Sequence, residues 1–255
     1  MIKKILSLNI NYVNRLFGLD LLRAIAILIV LLGHGDLILR QNFPNFPVFW
    51  IIDGVDIFFV LSGYLIGNIL IKSFIKYDDT SIPVSAITHF WKRRWFRTLP
   101  PYFLVLIISL IICYIMYGNF HGFSYKYIFF IQNLKNPHPD FFAVAWSLAV
   151  EEWFYLLFPS LVFILKLVFP KLKLKKILLI AILIFIILPI FYKIKKASFF
   201  AFGEHPDYVW DSFFRKIVLT RLDTIVFGVL GAYINYFYSS FWRKYNTFSL
   251  ISVRP

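Results

Sequence analysis

Six apolar runs, each about as long as a lipid bilayer is thick, constrain this chain more than any other feature of it. A helix needs about 20 mainly apolar residues to cross roughly 30 Å of hydrocarbon. Runs of that kind lie at about 18–38, 48–71, 98–117, 143–169, 174–192 and 217–238. The expected fold is therefore all-α: a polytopic transmembrane helix bundle with about six spans, forming one domain over residues 1–255. Composition agrees, since 60% of the 255 residues are hydrophobic, against roughly 45–50% in soluble domains. Ile128 to Ile131 is too short an apolar stretch to span alone, and Asn136-Pro137-His138-Pro139 reads as loop.

The net charge of +14 would in isolation suggest nucleic acid. The basic residues flank the apolar runs instead of forming a domain of their own, so they read as topology and phosphate contact, with no nucleic-acid partner expected. With the N-terminus inside, the inner segments hold 17 Lys and Arg and the outer ones 9, leaving out Arg23 within the first span. That bias favours a cytoplasmic N-terminus in the cell membrane; the cluster Lys193, Lys195 and Lys196 dissents locally. Lys3, Lys4 and Arg15 before an apolar run could mimic a secretory signal. Asp20 and Arg23 inside the run, and the lack of a small-residue cleavage site, make it a retained helix. Cys113 is the only cysteine, so no intrachain disulfide or cysteine metal cage exists, and the five histidines are too dispersed to suggest a metal.

A charge near the bilayer centre costs about 2.5–3.5 kcal/mol even on the mild insertion scale, so each one retained asks for a partner, a wet cavity or a task. Arg23 and His34 lie eleven steps apart, which returns them to nearly one helical face, roughly 16 Å apart along the axis. Arg23 could hold an anion while His34 acts deeper in; the alternative is an Arg that snorkels and a His at the outer interface. Asp53 and Asp56 share a face of the second span and could orient an imidazole or bind a sugar hydroxyl; the alternative is that both are simply outer-interface residues or partners of basic side chains. Gly54 and Gly63 read as close helix packing. Arg93 and Arg97, four apart, turn two guanidinium forks the same way, as phosphate recognition or as a topology determinant. The very basic amphipathic stretch from Ile82 to Thr98, with Trp91 and Trp95, is expected along the cytoplasmic interface before the third span.

The strongest local signal is Trp146-Ser147-Leu148-Ala149-Val150-Glu151-Glu152-Trp153-Phe154-Tyr155. Adjacent carboxylates point about 100° apart, so a helix comfortably buries one of them; Ser147 shares the face of Glu151, which favours Glu151 as the inward member. A buried Glu suits proton transfer, and structural hydrogen bonding between helices is the alternative. Arg221 and Asp223, two apart, do not face one another and are each expected to meet another helix.

Taken in order, Gly18-Leu19-Asp20-Leu21-Leu22-Arg23 through Gly33-His34, then Gly54-Val55-Asp56-Ile57-Phe58-Phe59-Val60-Leu61-Ser62-Gly63-Tyr64, the Arg93/Arg97 pair, Trp146-Ser147-Leu148 with Glu151-Glu152 and Phe154-Tyr155, and Arg221-Leu222-Asp223 before Gly228 resemble the membrane-bound acyltransferase family 3. The resemblance implies transfer of an acyl group, commonly acetyl from acetyl-CoA, to a hydroxyl of an envelope carbohydrate such as lipopolysaccharide, exopolysaccharide or peptidoglycan. On that footing, Arg93, Arg97 and also Arg23 are expected at the donor phosphates, with His34 as general base or acyl-carrying nucleophile. Glu151 would position or deprotonate the acceptor or tune His34, with Asp56 and Ser147 as supporting polar contacts. No permanently bound cofactor is implied; the expected partners are acyl-CoA, a carbohydrate or glycolipid acceptor and membrane lipids. Two departures stand out: family members usually have about ten spans, so helices completing the acceptor side are expected to be missing from this chain, and position 153 is Trp where Gln is frequent. A proton-coupled transporter or flippase would also bury Arg, His, Asp and Glu. Its usual marks, broken helices and an inverted repeat, are not seen in the sequence. An inactive fragment is the third reading.

Overall fold

The computed structural model describes residues 17–42, 53–77, 81–200 and 206–240. In chain order the elements are α1 (Phe17–Asn42), α2 (Gly54–Phe74), α3 (Val84–Tyr117), a 3₁₀ turn at Tyr125–Tyr127, α4 (Ala145–Val168) and α5 (Leu174–Ala197). The short α6 (Pro206–Trp210) then runs into a π-helical turn (Asp211–Arg215), which α7 (Val218–Phe237) follows. No strand occurs among the described residues. Six of the helices, α1 to α5 and α7, are long and apolar enough to cross a membrane, so the all-α expectation holds and each expected span has its helix.

The chain divides into two compact units, residues 1–58 with 239–255 and residues 59–238. In the first, Asp53 stands just before α2 and its Oδ1 accepts a hydrogen bond from the Val55 N–H at 2.9 Å. This is a helix N-cap, which satisfies a donor that the first turn leaves orphaned. A β-carbon at Gly54 would stand 2.6 Å from the Ala26 carbonyl oxygen and 2.8 Å from the Val30 side chain. The start of α2 is thus pressed against the stretch of α1 between Arg23 and His34, a contact that glycine permits.

The second unit is built on α4, α5 and α7. Phe154 and Phe158 of α4 stack with centroids 5.2 Å apart, and Phe185 of α5 meets both edge-on at 5.5 and 5.4 Å, an arrangement that aromatic quadrupoles favour. Lys193 of α5 and Asp223 of α7 close an ion pair at 2.6 Å, with the Asp223 side chain 8% exposed. Asp223 therefore meets another helix, as its spacing from Arg221 requires. Where α2 crosses α7, a β-carbon at Gly63 would collide with the Ile225 carbonyl, and one at Gly228 with the Val60 carbonyl. Small residues let membrane helices approach to backbone contact, so the packing role expected of Gly63 is realised.

The apolar half of α3 turns Leu104, Ile107, Ile108, Ile111, Ile112 and Ile115 outward, the face that lipid would cover. The basic stretch from Val84 to Thr98 is continuous with it in one helix of 34 residues, not a separate segment before the span. Pro100 and Pro101 lie inside this helix; lacking N–H groups, they leave the carbonyls of Phe96 and Arg97 without their usual helical donors. Hydropathy places a boundary at the prolines, whereas the backbone runs straight through them.

The loop from α3 to α4 is fastened at both ends. Phe130 and Phe142 adopt left-handed φ angles of 56° and 51°, sterically costly for non-glycine residues. Trp153 Nε1 donates to the Phe130 carbonyl at 2.9 Å, and the Tyr102 hydroxyl to the Tyr127 carbonyl at 2.8 Å. Asn133, fully buried, donates to the carbonyls of Trp146 at 3.1 Å and Lys216 at 2.7 Å. The Val218 N–H donates back to its carbonyl at 3.0 Å, which ties the loop to the heads of α4 and α7.

Candidate active site

The basic face of α3 opens on a cleft of about 180 Å³ lined by Ile69 of α2 and by Phe90, Arg93, Arg94 and Arg97. Arg93 and Arg97 are exposed at its mouth, one helical turn apart. Arg94 turns inward, its guanidinium 5.5 Å from the centroid of the Tyr155 ring and 6.0 Å from that of Phe90, within cation–π range of both. The predicted pair of forks thus becomes a triad, two arginines outward and one seated on α4.

Behind that wall lies Glu151. Its Oε1 accepts from the Ser62 hydroxyl of α2 at 2.9 Å and its Oε2 from the Tyr155 hydroxyl at 2.9 Å. Both oxygens are engaged, and Arg94 and Arg97 lie within electrostatic reach of the carboxylate. Tyr155 is itself held on three sides. Its ring meets Phe90 edge-on at 6.5 Å and carries Arg94, its hydroxyl reaches Glu151, and its carbonyl accepts from Trp91 Nε1 at 2.9 Å.

Glu152 is the more enclosed of the two carboxylates, at 6% exposure. It turns toward Trp95 and Thr98 of α3, although neither of its oxygens closes a hydrogen bond. One carboxylate is buried, as expected of a helix, but it is Glu152 and not the favoured Glu151, which is half-buried with both oxygens engaged. Ser147 lies one turn before Glu151 and half-buried, but the contacts to that carboxylate come from Ser62 and Tyr155. The i, i+4 spacing of Glu151 and Tyr155 was the available signal for the tyrosine; nothing in the spacing could find Ser62, 89 residues away. Trp153, the departure from the family pattern, anchors the loop through Phe130.

Arg23, His34 and Asp56 belong to the first unit. Arg23 donates to Asp20 Oδ1 at 3.0 Å, one turn back along α1. His34 Nδ1 is 2.8 Å from the Val30 carbonyl oxygen, and the residue is exposed. A carbonyl oxygen can only accept, so Nδ1 carries the proton and the neutral ring keeps its lone pair on Nε2. Asp56 lies in the first turn of α2, where the helix dipole favours a carboxylate. Among the described residues, no group of three or more His, Cys, Asp or Glu could hold a metal.

The chain is similar to the peptidoglycan O-acetyltransferase OatA of Listeria monocytogenes, at 33% identity over 62% of this chain and 26% of that protein. It is equally similar, at 33% identity, to a putative O-acetyltransferase of Staphylococcus aureus, over 60% of this chain and 26% of the relative. For YrhL of Bacillus subtilis, a putative peptidoglycan O-acetyltransferase, the figures are 33% identity over 56% of this chain and 23% of the relative. The chain thus spans about a quarter of the length of the curated relatives it matches. No solved structure matches it. A family model described as an acyltransferase domain matches residues 16–253, nearly the whole length, and the chain therefore belongs to the acyltransferase 3 family.

Proposed function

We infer that this chain moves an acetyl group from acetyl-CoA, or a related acyl group from its acyl-CoA, to a hydroxyl of a cell-envelope carbohydrate. The observation that carries the reading is the arginine-lined cleft backed by Glu151. Guanidinium forks match phosphate oxygens in pairs, and acyl-CoA presents phosphates on the cytoplasmic side. A cleft of about 180 Å³ is smaller than the roughly 300–1,000 Å³ of pockets that enclose whole ligands. It suits a phosphate group whose nucleoside stays outside.

In this reading the acceptor hydroxyl gives its proton to His34 Nε2 as its oxygen attacks the thioester carbonyl. The new C–O bond forms, the C–S bond breaks, and coenzyme A leaves as the thiolate, which takes the proton back. Glu151 orients the acceptor. The printed names of the relatives support a peptidoglycan hydroxyl as the acceptor to test first. The test is mass spectrometry of envelope glycans from cells with and without the gene, together with acetyl transfer in membranes supplied with labelled acetyl-CoA. Loss of an acetyl ester with the gene is the expected result; unchanged glycans would point instead to the transporter class. At equal membrane abundance, His34→Ala should lower the rate by about 10²- to 10⁴-fold. Arg97→Gln should raise the donor KM by about tenfold.

A further inference from the structure

We propose that Tyr155 is a positioning residue that sets the carboxylate of Glu151 against the arginine cleft, with Ser62 as its counterpart on the other oxygen. The inference rests on the acyl-transfer reading and deepens it at the same site. Tyr155 is where two otherwise separate features meet. Its ring carries Arg94 and packs against Phe90, and both of those residues line the cleft. Its hydroxyl holds one oxygen of Glu151 at 2.9 Å. Trp91, one turn before Trp95 on the basic stretch of α3, clasps its backbone carbonyl at 2.9 Å.

Ser62 closes the geometry from α2 at 2.9 Å. A carboxylate held by one donor can rotate about its last torsion, whereas one held on both oxygens from two helices cannot. Three helices, α2, α3 and α4, are thereby keyed to the Glu151–Tyr155 pair. Displacing the anion cleft relative to Glu151 requires breaking the Tyr155 contacts. Catalytic groups need placement to within about 0.5 Å of their working geometry, and this clasp supplies it for Glu151. Ring and hydroxyl carry different duties: the ring supports the donor wall, and the hydroxyl orients the carboxylate.

That division makes the proposal testable in the full chain, reconstituted in lipid and supplied with acetyl-CoA and a soluble glycan acceptor. Tyr155→Phe keeps the ring and deletes the hydroxyl. It should lower kcat by about tenfold with the acetyl-CoA KM unchanged, and alter the pH profile of kcat. Tyr155→Leu removes the ring as well and should raise the donor KM in addition. Ser62→Ala should reproduce the kcat loss without touching the aromatic wall, and it decides alone should the Tyr155 variants fail to accumulate. Wild-type rates in both kcat and pH profile for Tyr155→Phe and Ser62→Ala, alongside an inactive Glu151→Gln, would overturn the positioning role and leave the acyl-transfer reading standing. A change in KM with kcat intact would also overturn it. Absence of transfer by the wild-type chain would remove both.

Discussion

His138 lies in the loop between α3 and α4, outside the spans. Its Nδ1 donates to the Pro139 carbonyl at 2.6 Å, its ring meets Tyr127 at 5.8 Å, and its Nε2 is buried with no partner. Burial, with the neighbouring Lys216 charge adding to it, holds the imidazole below its ordinary pKa of 6.5. The unfolded loop therefore takes up a proton more readily than the folded one. The folded loop keeps its full stability above about pH 6.5 and loses it as pH falls through the depressed value. Amide hydrogen exchange across residues 123–142, corrected for its intrinsic pH dependence, should accelerate between pH 7.5 and 5.5, and His138→Asn should abolish that difference. The sequence showed His138 only as part of a loop, because what perturbs it comes from Tyr127, Pro139 and Lys216, which no local pattern brings together. Glu151 was legible through its periodicity with Ser147, whereas its true partner on α2 was not.

At the scale of elements, the crossing of α2 and α7 depends on two glycines that meet backbone to backbone. Gly228→Leu would drive a side chain into the Val60 carbonyl and the Tyr64 N–H, and backbone atoms cannot swing away as a flexible side chain can. The expected cost is about 3 kcal/mol, at the upper end of overpacking penalties, and thermal unfolding of the detergent-purified chain checks it. Gly33 is the contrast, since nothing lies within 4 Å of a β-carbon placed there, so Gly33→Ala should not lower the melting temperature, and the better helix propensity of alanine favours a small rise. Apolar length alone located all six spans. It did not locate the ends of α3 or α5, because α3 continues through its prolines and α5 carries Lys193, Lys195 and Lys196 within its last turns. Charge made those residues look like loop; pairing and cation–π contacts make them helix. Lys193 neutralises Asp223, while Lys196 lies 5.9 Å from the Tyr192 ring centroid and 5.7 Å from that of Phe213.

For the whole molecule, these contacts also explain the cluster that spoke against a cytoplasmic N-terminus. Lys193 and Lys196 serve the packing of the bundle, so their presence at that end has a reason other than topology. The orientation is open to direct measurement, because Cys113 is the only cysteine and is buried. In a Cys113→Ala background, Lys92→Cys and Asn136→Cys place thiols at exposed positions on opposite ends of α3 and its following loop. With the N-terminus inside, a membrane-impermeant maleimide should label position 136 in intact cells and position 92 only after permeabilisation. The reverse pattern would invert the topology and put the arginine cleft beyond the reach of cytoplasmic acyl-CoA.

The unbroken length of α3 carries a last implication. At 1.5 Å per residue its 34 residues make a rod of about 51 Å, against a hydrocarbon slab of roughly 30 Å. The stretch from Thr98 to Tyr117, about 30 Å long, suffices to fill that slab, so the arginines ride on a mast rising from it into the headgroups. Thinner or thicker host lipids would then raise or sink those cations relative to the aqueous boundary while every helix contact stays as it is.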